Sequence, residues 1–82
     1  MMYIEKFIER ELKSKCYGFV YARYSVDRQC IDVEISTNNL FRCSKDVPIK
    51  MIADKETLTE LVKSIKLDYI NFLLGFYFKT SD

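Results

Sequence analysis

Between Cys16 and Thr37 the chain reads CYGFVYARYSVDRQCIDVEIST, and the second half of that stretch alternates cleanly. Ile31, Val33 and Ile35 point one way while Asp32, Glu34 and Ser36 point the other, the period of two that marks a strand with one buried face. The first half predicts a partner strand, but apolar groups stand on both of its sides. Tyr17, Phe19, Tyr21 and Arg23 share one face; Gly18, Val20, Ala22 and Tyr24 share the other. The connecting Ser25-Val26-Asp27-Arg28-Gln29 has no Asn-Gly or Asp-Gly pair to set a tight turn, so loop length stays open. Its parity matters, because a slip of one residue exchanges the faces of a strand. An even loop sets Val20 opposite Ile35 and Ala22 opposite Val33, leaving Tyr17, Phe19 and Tyr21 beside Asp32 and Glu34. An odd loop buries the three aromatics with Ile31, Val33 and Ile35. Burial favours the odd loop; the small Gly18 and Ala22, which admit a close helix, favour the even one.

Helical spacing flanks this hairpin. Ile4, Phe7, Ile8 and Leu12 form one stripe between Tyr3 and Lys15, with Glu5, Lys6, Glu9, Arg10 and Lys13 opposite as a solvated face. Glu9 and Lys13 are spaced for an i,i+4 pair, and the helix should end near Ser14 or Lys15. After the hairpin, Thr37-Asn38-Asn39 predicts a turn and Leu40 to Cys43 a short third strand that Ser44-Lys45-Asp46 interrupts. Pro48 cannot donate to a ladder, so Val47 to Ile52 reads as an edge strand or an extended connection, with Lys45 and Lys50 suited to an exposed edge. Asp54 is an N-cap candidate for a helix carrying Leu58, Leu61, Val62 and Ile65. Beyond Lys66 the stripe continues through Tyr69, Phe72, Leu73 and Phe76. A second stripe of Leu67, Ile70, Leu74 and Phe78 lies on another side. Asp68 could cap a separate helix after a bend, and a closing strand from Phe72 to Lys79 is the rival.

The expected architecture is therefore a single α+β domain over residues 1–82, in the order α-β-β-β-α-α. It has a three-stranded antiparallel sheet, an N-terminal helix and two C-terminal helices. With 82 residues the core is small, yet 49% of the chain is apolar and no low-complexity tract interrupts it, which predicts a folded protein with a thin stability margin. A net charge of +1 removes the simplest argument for nucleic-acid binding. Cys16, Cys30 and Cys43 are odd in number and widely spaced, and no export leader precedes them. The expectation is free thiols in the cytoplasm. The apolar run from Tyr69 to Phe78 is broken by Asn71 and Gly75 and is too short to span a bilayer.

Candidate chemistry is sparse. Without histidine the usual general base is missing, and the cysteines have neither chelating spacing nor histidine partners. The expectation is no enzyme activity, no catalytic residue, no metal and no cofactor. Asp32 and Glu34 put two carboxylates about 6.5 Å apart on one strand face, a spacing usable for acid/base work and equally that of any solvated strand.

One local pattern is sharper. Lys15-Cys16-Tyr17-Gly18-Phe19-Val20-Tyr21-Ala22 resembles the RNP signature of RNA-recognition domains, with Cys16 in place of its first glycine and Ala22 in place of its last aromatic. That resemblance implies aromatics that stack on bases and a cation that meets phosphate. It covers eight residues, and the family's order needs a strand before the first helix and a helix directly after the signature strand, neither of which is expected here.

The elements that remain point to a small regulatory protein that occupies a surface of another protein. Short chains of this kind are common among virus-encoded modulators of host proteins, an association of composition only. The candidate binding residues are Tyr17, Phe19, Tyr21 and Arg23. The alternative is RNA or single-stranded nucleic acid on the same aromatic strand, with Lys15, Arg23, Arg28 and Arg42 on phosphates. Apolar residues around most of the last segment predict a homodimer through Leu74, Phe76 and Phe78.

Overall fold

The computed structural model describes residues 3–14 and 18–80, the side chains of 76–80 excepted. Helix α1 (Tyr3–Lys13) is followed by strands β1 (Phe19–Ser25), β2 (Cys30–Ser36) and β3 (Leu40–Asp46), a single 3-10 turn at Ile49–Met51, and helix α2 (Lys55–Thr80). The α+β class and the antiparallel sheet, in the order β1-β2-β3, are as the pattern predicts.

The hairpin takes the even loop. Ser25 pairs with Cys30 across the four residues Val26 to Gln29, and Val20 faces Ile35 and Ala22 faces Val33. Gln29 closes the loop in the left-handed region at φ 49°. Its carbonyl accepts from the Val47 amide at 2.9 Å. Its side-chain oxygen accepts from the Ile49 amide at 2.8 Å. One residue thus joins the hairpin to the segment that leaves β3.

Both helices cover the same face of the sheet, α1 against β1 and α2 against β3. Ile4, Ile8 and Leu12 of α1, Leu58 and Ile65 of α2, and Ile31, Val33 and Ile35 of β2 are fully enclosed. No charged or polar residue is among the buried ones described. Lys6, Arg10 and Lys13 of α1 face solvent as the charge pattern suggests, but Glu5 and Glu9 are half-buried against the sheet. Glu5 accepts from the Tyr24 amide at 2.6 Å and Glu9 from the Ala22 amide at 3.0 Å, so two carboxylates one helical turn apart meet two alternate edge amides of β1. Glu9 is thereby engaged with the sheet, and no Glu9–Lys13 ion pair forms. Tyr24 is held at its other end as well, its hydroxyl donating to the buried Val47 carbonyl at 2.6 Å.

Strand β3 runs through the expected break at Ser44-Lys45-Asp46. Two of its polar side chains have partners: Ser44 donates to Asp32, and Lys45 reaches Asp68 of α2 at 2.5 Å. Pairing ends after Val47, where Pro48 has no amide to offer and the 3-10 turn begins.

The expected pair of C-terminal helices is one continuous helix of 26 residues, about 39 Å long at 1.5 Å per residue. Asp54 caps it, accepting from the Thr57 amide at 3.0 Å and from the Thr57 hydroxyl at 2.5 Å. Asp68 caps no second helix; its carboxylate is spent on Lys45. The rival strand from Phe72 to Lys79 is excluded by the same continuity. Tyr69 and Phe72 pack edge-on or tilted against Phe41, with ring centroids 5.4 and 5.3 Å away.

Two outcomes are expected on unfolding in urea. Glu5→Ala and Glu9→Ala should each lower stability by about 1–2 kcal/mol, because a charge-assisted acceptor is removed from an edge amide, and Gln at either position should recover part of the loss. Gly18→Ala should cost about 1–3 kcal/mol. Gly18 has φ 146°, and an added Cβ would collide with the Ser36 carbonyl oxygen and the Thr37 methyl.

Candidate functional site

The even register leaves the second face of the sheet without a helix. Three of the four rows that cross it carry the candidate residues: Phe19, Ser36 and Leu40; Tyr21, Glu34 and Arg42; and Arg23, Asp32 and Ser44. Alternation along each strand puts all nine side chains on this side. Phe19 is 83% exposed, Tyr21 50% and Leu40 49%, so the end of the face bearing the first row is apolar and wet.

The other two of these rows form a charged lattice. Arg42 meets Glu34 at 3.3 Å through Nε, and Arg28 reaches over from the hairpin loop to Asp32 at 2.8 Å. The Ser44 hydroxyl donates to the other Asp32 oxygen. That hydrogen bond, aided by Arg28, holds the Asp32 carboxyl below its ordinary value against the opposing effect of burial. The Arg23 guanidinium lies 5.8 Å from the Tyr21 ring centroid. Three arginines therefore stand with two carboxylates in and over these two rows, and each of those carboxylates already has an arginine.

Of the residues singled out in the sequence, Phe19, Tyr21 and Arg23 come together here, while Tyr17 lies outside the described residues. Leu74 is 47% exposed on α2 and is joined by Leu67 at 58% and Ile70 at 44%. These three repeat at helical spacing on the side of α2 opposite Leu58, Ile65 and Tyr69, and are the described part of the second apolar stripe. The side chains of Phe76 and Phe78 lie outside the described residues. Leu40 was missed as a site residue, because only the register of β3 against β2 places it in the same row as Phe19.

Other chemistry has little to work with among the described residues. No cluster of three Cys, Asp or Glu is placed to hold a metal ion. Cys30 is buried and Cys43 half-buried, both free, and burial pushes the Cys43 thiol up. A cleft between the helices, floored by Phe7 and Val62 and rimmed by Glu11, Lys63 and Lys66, has a volume of about 210 Å³. That is below the roughly 300–1,000 Å³ of small-molecule sites, whereas a hollow of about 360 Å³ lies on the sheet over Asp32, Glu34, Arg42 and Ser44. Among the described residues no helix is long and apolar enough to cross a membrane.

Asp32 supplies a test of the lattice. A carboxyl with a lowered folded-state pKa stabilises the fold above the ordinary aspartate range, and that contribution is lost as pH falls through the lowered value. Ser44→Ala and Arg28→Ala should each move the Asp32 titration midpoint upward, as read from the Asp32 side-chain carboxyl carbon by NMR. The stability lost in Ser44→Ala through this bond should be present at neutral pH and vanish in acid. Comparison of the chain with protein-family models, with curated proteins and with solved structures finds no match in any of the three.

Proposed function

We propose that this protein is a non-catalytic binding or regulatory protein that acts by occupying a surface of another protein, and that the open face of the sheet is the surface it uses. The observation that carries this reading is Phe19, a large apolar side chain left 83% exposed beside Leu40 at one end of the face. Burying Phe19 and Leu40 against a partner supplies the apolar centre of a contact. Tyr21, flanked by Arg23 and Arg42, supplies an aromatic anchor with polar groups around it, the composition enriched in protein interfaces.

The same aromatics would serve as a base-stacking platform, but Asp32 and Glu34 sit among the arginines of that platform and would repel a phosphate backbone laid across it. That placement favours a protein partner. Self-association belongs to the same proposal. Leu67, Ile70 and Leu74 leave apolar surface on α2, and a chain this short gains stability by covering it.

Phe19→Ala and Tyr21→Ala, singly and together, should leave the unfolding free energy within about 0.5 kcal/mol per substitution of the unaltered chain. The double variant should lose the partners that the unaltered chain captures from lysate and that mass spectrometry identifies. If the double variant unfolds instead, the aromatics are structural. If the unaltered chain is held on single-stranded RNA with a steep salt dependence that Arg23→Ala weakens, the partner is nucleic acid.

A further inference from the structure

The two edges of the sheet are treated differently. In an antiparallel ladder, a residue whose amide points away from its neighbour has its carbonyl pointing away too, and such residues alternate along the strand. The Ala22 and Tyr24 amides, bonded to Glu9 and Glu5, therefore mark the outward residues of β1. Carried through the pairings of Ala22 with Val33 and of Val33 with Cys43, the same alternation makes Arg42 and Ser44 outward residues of β3. The Val47 amide, bonded inward to Gln29, agrees with that parity. Among the described residues no donor or acceptor meets the outward amides of Arg42 and Ser44. Lysine is the usual guard on such an edge, but Lys45 is turned back onto α2, its ammonium 2.5 Å from Asp68.

We propose that the β3 edge is the dimer contact, taken by β3 of a second copy running antiparallel about a two-fold axis at Ser44. This rests on the proposal that the chain self-associates, and it places the contact at the sheet edge rather than on the outer stripe of α2. Because only alternate residues offer hydrogen bonds, an antiparallel copy can take few registers on Leu40–Asp46. An axis at Arg42 sets two arginines against each other. One at Cys43 sets Leu40 against Asp46 of the second copy. The axis at Ser44 sets Arg42 of each chain opposite Asp46 of the other, giving two symmetric ion pairs from one sequence, Arg-Cys-Ser-Lys-Asp. Both groups are available: Arg42 is 69% exposed and meets Glu34 only through Nε, and Asp46 is exposed with no ion partner among the described residues. The product is a six-stranded sheet whose two open faces run together, presenting the Phe19 surface twice.

Sedimentation equilibrium of the full chain at micromolar concentration should give twice the 9.8 kDa chain mass. Ser44→Pro, which removes one outward amide and no bond of the ladder within the chain, should shift it to monomer. Asp46→Lys should weaken the dimer by about tenfold or more, since two attractions become two repulsions, with circular dichroism and thermal unfolding of the monomer unchanged. Asp46→Lys decides the matter alone if Ser44→Pro does not fold. A chain that stays monomeric at hundreds of micromolar overturns self-association and this contact with it. A dimer that resists Asp46→Lys but is lost in Leu74→Asp keeps self-association and overturns the β3 contact in favour of the outer stripe of α2.

Discussion

The structure depends on the parity of one hairpin loop. Four residues between Ser25 and Cys30 place Val20, Ala22 and Tyr24 on the face that Ile31, Val33 and Ile35 share, and every later feature inherits that choice. With those six inward, the helices have one apolar face to cover. Phe19, Tyr21 and Arg23 are turned out beside Asp32 and Glu34. Shifting the register by one residue would bury Arg23 and expose Tyr24, whose hydroxyl now donates to the Val47 carbonyl and whose amide is held by Glu5. Losing a buried hydrogen-bond partner costs about 1–3 kcal/mol, so Tyr24 alone is a substantial reason for the even loop.

Helix α1 contributes more than apolar cover. Its Glu5 and Glu9 stand where a fourth strand would place carbonyl oxygens, so β1 is closed by side chains rather than by another ladder. The close approach is permitted by Ala22, which is buried at the point where Glu9 crosses. At the other edge the polar side chains of β3 are drawn onto the two faces: Ser44 to Asp32 on the open side and Lys45 to Asp68 on the helical side. The backbone between them is left to meet water or another strand.

Much of the fold was legible in the sequence because it rests on periodicity. The stripe Ile4, Phe7, Ile8, Leu12, the alternation of β2, the Asp54 cap and the run from Leu58 to Ile65 each follow from a local repeat that burial then confirms. What was not legible rests on contacts between distant segments. A glutamate bound to an edge amide and one facing solvent have the same spacing from the apolar stripe, so the role of Glu5 and Glu9 could not be separated from that of Lys6. Ser44-Lys45-Asp46 looked like a break because its partners, Asp32 and Asp68, lie 12 and 23 residues away. Asp68 looked like a cap for the converse reason: in isolation an acid before an apolar run suggests a helix start, and here Lys45 claims it. For the candidate site, Phe19, Tyr21 and Arg23 were visible as a group of alternating residues, whereas their exposure waited on the loop parity and Leu40 on the second turn.

The even register of β1 against β2 shows itself in the close contacts of α-protons across the hairpin. Ala22 and Val33 form a pair without mutual hydrogen bonds, in which Cα atoms approach to about 4.5 Å and the two α-protons come close together. A strong nuclear Overhauser effect between the α-protons of Ala22 and Val33, repeated for Tyr24 and Ile31, is the predicted result. Strong α-proton contacts from Tyr21 or Arg23 to Val33 in their place would mean that the hairpin takes the odd register, with the aromatic strand face in the core and not on the open side.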